Sequence, residues 1–237
     1  MVATKKVKVK KLSFKGFLII LLTLFLVGYG CYYFFKMPIK NIYITGNNLL
    51  SDNEIIKTAN IKNYPSMFEV SNDEIKNNLK KIPLISEVKI KRNIFRKLTL
   101  NITEGQILFY NLNKNKLVLD DGREIDDSQN YKGIPTLINY VPDKIYKKLI
   151  KSLQKVDTNV IALISEIEYS PSKSNDEIID DTRFILRMND SNTVYANLLN
   201  IKNLNHYKEI YSTLNNEKGN LYLDSSNEEN FYFQKYE

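Results

Sequence analysis

Residues 71–102 read SNDEIKNNLKKIPLISEVKIKRNIFRKLTLNI, a stretch that holds a helix, a break and two strands. The helix begins at the capping box SNDE, whose first and last side chains are placed to bond each other's backbone amides. Ile75, Leu79 and Ile82 follow at helical spacing. Pro83 cannot continue the helix because it has no amide proton. The pattern predicts one short helix with a single buried face.

The second half of this stretch alternates apolar and polar residues, as half-buried strands do. Residues 85–90 are ISEVKI, and residues 98–102 are LTLNI. Leu98, Leu100 and Ile102 share one face of the second strand, and polar residues occupy the other face. The sequence therefore predicts two neighbouring strands with one apolar side.

The chain on the N-terminal side of this stretch adds another strand and another helix. Residues 39–46, IKNIYITG, alternate and run into a Gly-Asn-Asn turn. Residues 51–54, SDNE, form a second capping box in front of Ile55 and Ile56. Two short helices can cover one face of a three-stranded sheet. We expect a small β-α-α-β-β domain over residues 37–105.

The N-terminal end predicts a membrane anchor. Gly16–Phe35 is a twenty-residue run without a charge. At a rise of about 1.5 Å per residue it spans the roughly 30 Å core of a bilayer. Residues 1–36 hold seven lysines and no acidic residue, and six of these lysines precede the run. The positive-inside rule then predicts a cytoplasmic basic tail (1–15), a transmembrane helix (16–36) and an extracytoplasmic body.

Two other interpretations of the apolar run stay open. A cleaved signal peptide needs a shorter apolar core and small residues at the cut, whereas Tyr32–Phe35 follow the core here. A lipoprotein signal would use Cys31, but Gly28 and Tyr29 suit it poorly and bulky apolar residues come next. An uncleaved anchor agrees best with these residues, and the lipid bilayer is then the first predicted partner.

Charge and composition exclude several classes of function. The 237 residues include 34 Lys+Arg and 27 Asp+Glu, a net charge of +7. Since residues 1–36 carry seven of the basic residues and no acid, the rest of the chain is neutral. A nucleic-acid-binding domain would carry its basic excess on a folded face, so no nucleic acid is predicted. One Cys and one His exclude a disulfide framework and a zinc finger.

Candidate residues for chemistry are few. His206 lies in a predicted amphipathic helix and would need partners to bind a metal. Asp120 and Asp121 precede Gly122, which favours a turn over paired catalytic carboxylates. An acidic cluster lacks the ligand order of a calcium loop and is interpreted as a solvated loop; it comprises Asp176, Glu177, Asp180 and Asp181. We predict no catalytic residue, no metal and no cofactor, and interpret the chain as non-enzymatic.

The remaining chain, residues 106–237, predicts a second, mostly antiparallel β domain with two helices. The helices are expected at residues 143–156 and 203–214, with turns at residues 120–123 and 189–192. The predicted strands are residues 106–112, 116–119, 164–169, 183–188, 193–198, 221–223 and 231–233. The fold class is therefore α+β: an N-terminal helix, a small mixed domain and a β domain.

Four stretches together resemble the DivIB/FtsQ family of bacterial cell-division proteins: residues 39–47, residues 50–55, residues 75–79 with 82–92, and residues 98–104. The resemblance implies that the β-α-α-β-β unit is a POTRA domain. The chain departs from the family pattern at two places. The family usually has Pro shortly before the third strand and basic and Pro residues after it, where this chain has IFRK at 94–97 and Gly105-Gln106.

The resemblance also implies a function. It implies a non-enzymatic scaffold of the division septum that binds FtsL and DivIC/FtsB outside the membrane, with the septal peptidoglycan synthase as an indirect partner. Two alternatives stay open from the residues. One is a POTRA-bearing translocation or chaperone-like component, and the other is a membrane-anchored cell-wall enzyme.

The last two predicted strands, LYL at 221–223 and FYF at 231–233, suggest where a partner docks. A terminal strand tends to lie at a sheet edge with unpaired backbone groups. The resemblance implies that late strands of the second domain receive the partner by β-augmentation. The alternative is that these aromatic residues only close the core. The predicted docking residues are Leu221, Tyr222, Leu223, Phe231, Tyr232, Phe233 and Tyr236.

Overall fold

A computed structural model describes residues 13–127, 131–174, 177–215, 217–224 and 231–237. The chain divides into two compact units, Met1–Glu104 and Gly105–Glu237. The first unit contains the apolar helix and a small α/β domain. The second unit contains a large, mostly β domain. The predicted fold class is confirmed.

The N-terminal helix, α1, spans Phe14–Lys36. Ser13 caps it, because its hydroxyl accepts a hydrogen bond from the Gly16 amide at 3.2 Å. The helix is apolar on all sides, and its most apolar window is entirely unburied, with a mean hydropathy of 2.1. By length and composition it is able to cross a membrane.

The small domain has the predicted β-α-α-β-β order. Its elements are β1 (Asn41–Thr45), α2 (Asp52–Thr58), α3 (Asn72–Leu79), β2 (Ile85–Arg92) and β3 (Lys97–Glu104). The strand order is β1-β3-β2, with β1 parallel and β2 antiparallel to the central strand β3. The alternation along β3 is the predicted one, because every second residue from Leu98 to Ile102 is buried.

Both helices of this domain begin at the predicted caps. The Ser51 hydroxyl accepts from the Glu54 amide at 3.2 Å, and the Ser71 hydroxyl accepts from the Glu74 amide at 3.0 Å. The tight turn after β1 needs glycine: Gly46 has φ +83°, and a Cβ there would lie 2.1 Å from the Ile102 carbonyl oxygen. Helix caps and turn glycines are local sequence signals, so the order of the elements in this domain could be predicted from the sequence.

A contact that the sequence did not reveal holds the far end of β3. The Glu104 carboxylate accepts hydrogen bonds from the amides of Asn48 at 3.1 Å, Leu49 at 2.8 Å and Leu50 at 2.9 Å. It therefore ties the loop before α2 to the last residue of the sheet. Leu49 and Glu104 mark the end of the domain opposite the β2–β3 turn.

The second unit is built on a nine-stranded sheet in the described part of the chain, with the order β14-β13-β12-β11-β8-β7-β4-β5-β6. Five of its eight pairings are antiparallel, and β12–β13, β4–β7 and β7–β8 are parallel. Its strands are β4 (Ile107–Asn111), β5 (Lys116–Leu119), β6 (Glu124–Ile125), β7 (Thr136–Leu137), β8 (Ile164–Tyr169), β11 (Arg183–Met188), β12 (Thr193–Asn197), β13 (Gly219–Tyr222) and β14 (Tyr232–Lys235).

Helices cover the apolar face of this sheet. They are α4 (Asp143–Leu153), α5 (Thr158–Ile161), a 3₁₀ helix (Ile201–His206) and α6 (Tyr207–Thr213). Leu149 on the buried face of α4 packs in one core with Phe184 and Leu186 of the central strand β11, and all three side chains are fully buried. Removing this apolar surface from water is the main source of the domain's stability.

Several details differ from the prediction, among them α5 (Thr158–Ile161), a short helix beyond the two that were predicted for this domain. The helix expected at 203–214 is a 3₁₀ helix followed by α6, since only tertiary packing sets the tighter first turn. The acidic cluster was predicted as a loop, but Glu177 and Asp180 lie in β10 (Glu177–Asp180), which pairs with β9 (Ser172–Ser174) in a separate two-stranded sheet. Asp181 lies in the turn that follows, as predicted. Asp176 lies outside the described residues. The two-residue strands β6 and β7 were missed because two residues show no period.

Candidate functional site

The nine-stranded sheet of the second unit has β14 at one end. This strand pairs antiparallel with β13, with Tyr232 opposite Tyr222 and Lys235 opposite Gly219. Within the described residues no strand pairs with its other side. The described part of the chain therefore presents an open strand edge.

The register shows which backbone groups of β14 face outward. The Tyr236 amide donates to the Lys218 carbonyl at 3.0 Å, one pair beyond the strand. Hydrogen-bonded and non-bonded pairs alternate along an antiparallel ladder. Tyr232 and Gln234 thus turn their backbone groups toward β13, whereas Phe233 and Lys235 turn theirs toward the open side. These outward groups are where an added strand would bond.

The side chains of the predicted docking residues divide between two faces. Leu221 and Leu223 are each 3% exposed and belong to the core, so their side chains are not available to a partner. Phe233 packs partly against the same core. Tyr232 is 63% exposed on the opposite face, and Phe231, just before β14, is also exposed.

An aromatic ladder crosses the outer face of the sheet up to this edge. The rings of Tyr195 and Tyr222 stack with centroids 4.7 Å apart and an interplanar angle of 6°. The Tyr232 ring follows at 5.7 Å from Tyr222. The Arg183 guanidinium lies 4.7 Å from the Tyr195 ring and bonds the Asp224 carboxylate at 2.8 Å. Stacking of this kind stiffens neighbouring strands and extends a flat apolar surface.

Sequence reasoning found Tyr222 and Tyr232 but not Tyr195 or Arg183. The parallel pairing of β12 with β13 brings Tyr195 beside Tyr222, although the two are distant along the chain. Tyr195 in β12 and Tyr222 in β13 each alternate with buried residues, which predicts that both point away from the core. This pattern does not show that the two strands are neighbours. Burial, with the neighbouring Tyr195, raises the pKa of Tyr222 above its ordinary value, which is already well above neutral pH.

Further bonds hold the edge strand in place. The Tyr222 hydroxyl donates to the Gln234 side chain at 3.4 Å, and the hydroxyls of Tyr236 and Thr193 are 2.9 Å apart. Lys235 pairs with Glu217 at 2.8 Å. These three contacts all involve the C-terminal half of β14 and the residue after it, and they hold that half against the rest of the sheet.

A buried polar network holds the start of β13. Asn192 accepts a hydrogen bond from the Gly219 amide at 2.9 Å and donates to the Tyr207 hydroxyl at 2.9 Å. The Tyr207 hydroxyl in turn donates to Asp190 at 2.9 Å. Burial raises the pKa of Tyr207, which keeps it a donor. The predicted turn at 189–192 therefore also positions the strand that carries the edge.

The residues that the sequence offered as catalytic or metal-binding candidates form turn hydrogen bonds and surface ion pairs. The Asp120 carboxylate accepts from the Gln106 amide at 3.2 Å in the predicted turn, and Asp121 pairs with Arg123 at 2.6 Å. His206 lies exposed, 3.0 Å from the Glu209 carboxylate. In the described ranges no group of three or more His, Cys, Asp or Glu side chains is placed to hold a metal ion. The most developed site in the described chain is the β14 edge, and its backbone and aromatic groups suit an extended peptide.

Two family models match the chain in sequence order. Residues 37–104 match the POTRA domain, FtsQ-type. Residues 107–226 match the model described as cell division protein FtsQ/DivIB, C-terminal. Together they span both domains that follow α1.

Individual relatives agree with these models. The chain is 28% identical to cell division protein DivIB of Listeria monocytogenes over 242 residues, covering 98% of this chain and 86% of the relative. It is 31% identical to DivIB of Bacillus cytotoxicus over 168 residues, covering 67% and 63%. The solved major extracytoplasmic domain of DivIB from Geobacillus stearothermophilus is similar at a TM-score of 0.38 and 22% identity, covering 48% of this chain and 97% of that domain.

Proposed function

Because the chain belongs to the FtsQ/DivIB family of bacterial cell-division proteins, we propose that it is a membrane-anchored, non-enzymatic scaffold of the division septum. Its body lies outside the cytoplasmic membrane and binds FtsL-like and DivIC/FtsB-like chains. Through them it is coupled to the septal peptidoglycan synthase. The two domains thus act as a binding surface and not as a catalyst.

One observation carries this proposal: β14 is an open, four-residue edge with outward backbone groups and an exposed aromatic face. A strand from a DivIC/FtsB-like partner would bond the Phe233 and Lys235 backbone and lay alternate side chains beside Tyr232. Backbone bonds supply affinity in β-augmentation, and side chains supply specificity. The opposite edge, β6, has only two residues and offers a much shorter template.

The test separates the edge from the fold. In the full-length chain, Tyr232→Ala should weaken capture of a DivIC/FtsB-like ectodomain by roughly tenfold, since each tenfold corresponds to about 1.4 kcal/mol at an interface. Tyr140→Ala is the matched control, because Tyr140 is a 71% exposed tyrosine of the same domain, away from the β14 edge. Equal capture by both variants, with unchanged circular dichroism, would place the docking surface elsewhere.

The proposed topology has its own test. Six lysines precede the apolar run and no acid offsets them. We therefore expect protease added to intact protoplasts to digest everything beyond Lys36 and to leave a small membrane-protected fragment. A fully protected chain would contradict the orientation and the extracytoplasmic role together.

A further inference from the structure

Three segments meet at the end of the small domain from which α1 leaves: residues 36–41, 63–69 and 91–97. The Met67 amide donates to the Met37 carbonyl at 3.2 Å. The Lys40 amide donates to the Arg96 carbonyl at 2.9 Å. The β2–β3 turn is therefore hydrogen-bonded to the chain four residues after α1 ends.

This arrangement keeps the turn near the membrane. Four residues span at most about 14 Å, at up to about 3.5 Å per residue. The interfacial layer on each side of a bilayer is about 5–7 Å thick. If Lys36 marks the outer end of the span, the β2–β3 turn lies within reach of that layer.

The tip of the β2–β3 turn is apolar, although the turn itself does not require apolar residues there. Ile94 and Phe95 are each 75% exposed. The turn is formed by other groups: the Asn93 side chain accepts from the amides of Phe95 at 3.1 Å and Lys97 at 3.0 Å, and Arg96 adopts φ 61°. Polar residues at 94 and 95 would permit the same turn. Two large exposed apolar side chains at a tip are typical of a binding surface.

Apolar surface continues from this tip to α1. Phe68 is exposed, and its ring lies edge-on to Phe35 with centroids 4.6 Å apart. A groove of about 460 Å³ separates the helix end from the turn, and its lining includes Phe34, Met67, Phe68 and Ile94. Arg92 fastens the loop below it by donating to the carbonyls of Met67 and Val70, the latter at 2.5 Å.

The charge around this surface is positive. Besides Arg92, whose guanidinium bonds the loop carbonyls, the three segments contain five basic residues and one acidic residue, Glu69, whose carboxylate accepts from the Ser66 amide at 3.0 Å. Lys and Arg near an apolar surface lay their stems along it and extend their charged ends to the headgroups. Each basic residue near an anionic membrane surface adds to the attraction.

We propose that the β2–β3 tip and Phe68 form a second membrane contact: Ile94 and Phe95 insert into the outer leaflet beside α1, and the surrounding basic side chains bind anionic lipid headgroups. The occupant is lipid because the apolar surface is continuous with the membrane helix and the charge matches anionic headgroups. The inference rests on the proposed anchoring of α1. Its consequence is that the small domain is held against the bilayer instead of swinging freely on it.

The chain is convenient for the test because Cys31 is its single cysteine. The full-length protein is reconstituted in bilayers containing phosphatidylglycerol, with a polarity-sensitive fluorophore on one cysteine and quenchers attached to the lipids. Label on native Cys31 reports whether α1 spans the bilayer. In a Cys31→Ser background, label on Phe95→Cys reports the tip, and label on Leu49→Cys reports the opposite end of the same domain.

We expect a blue shift and at least twofold quenching by shallow quenchers for Phe95→Cys, weaker quenching in pure phosphatidylcholine, and neither effect for Leu49→Cys. Because Cys31 lies five residues before the end of α1, its label should meet quenchers at intermediate depth, and a Cys31 label that stays in water would overturn the anchoring itself. With Cys31 quenched, a Phe95 label that stays in water would overturn the tip contact alone. A Phe95 label that is shielded but not quenched would also overturn it, because a second copy or another protein would then cover the tip. Quenching at the tip that is equal in phosphatidylcholine would overturn the anionic preference.

Discussion

The sheets of the two domains end in open edges of different character. In the described chain β2 is an edge of the small sheet, and its outer side chains include Glu87 and Lys89, paired at 3.2 Å, with Lys91 beyond. The β14 edge also has one lysine, Lys235, which pairs with Glu217, but it carries Tyr232 beside the tyrosine ladder. Charged side chains, especially lysine, oppose the addition of another strand at a sheet edge, whereas aromatic side chains stabilise the pairing of neighbouring strands. Two edges with the same backbone chemistry thus differ in what their side chains permit.

Removal of the β14 edge should have the largest effect. A truncation that deletes residues 231–237 removes the strand, and we expect capture of a DivIC/FtsB-like ectodomain to fall below detection. Stability should fall by about 1–3 kcal/mol, because the partly buried Phe233 is lost with it. Denaturant unfolding and pull-down are measured on the same sample. Retained capture by a folded truncated chain would show that β14 is not the docking strand.

Displacement of the same strand should have an intermediate effect. A Cβ at Gly219 would lie 2.2 Å from the Gln234 carbonyl oxygen and 2.7 Å from the Phe233 ring, so Gly219→Ala forces β14 to move. We expect a loss of about 1–3 kcal/mol in unfolding free energy and weaker capture. Gly105→Ala is the control, since its Cβ would meet the flexible end of Leu119 at 3.2 Å. Similar losses in both variants would contradict a specific role for the β13–β14 contact.

Removal of charge from β2 should make that edge behave more like β14. We expect Lys89→Thr with Lys91→Thr to cause concentration-dependent self-association, detectable by sedimentation velocity. The control pair, Lys62→Thr with Lys80→Thr, makes the same change in net charge at exposed positions outside the strands. Self-association of the control would attribute the effect to net charge, and a monomeric β2 variant would show that lysine does not protect this edge.

Loss of a helix cap in the small domain should have the smallest effect. Ser51→Ala and Ser71→Ala should each lower its unfolding free energy by about 1 kcal/mol, because each removes an acceptor for a helical amide. Ser71→Asp keeps an acceptor and should be nearly neutral. We propose that residues 37–105 fold alone, so these changes are measured on that fragment and should leave capture by the full chain intact. A fragment without a cooperative transition would contradict this boundary.

The resemblance to a family, the order of elements in the small domain and the fold class were predictable from the sequence. The apolar run, the two SDNE-type capping boxes and the alternation from Leu98 to Ile102 are local signals, since a helix or strand is read within one or two turns of chain. Buried Leu221 and exposed Tyr232 show the limit of such signals. Alternation separates two faces of a strand, but it does not show which face meets a core.

Tertiary structure alone decided the features on which the proposed binding depends. The parallel pairing of β12 with β13 brings Tyr195 beside Tyr222, and the position of β14 at the end of the sheet leaves its outer groups open. The ties from Glu104 to the loop before α2, and from Asn192 to Gly219, join segments that are distant in sequence. The sequence by itself determined the long apolar helix, the caps and the strand faces, because neighbours along the chain produce them. Pairing order and long-range contacts depend on which segments can bury their apolar faces together, which only the folded chain decides.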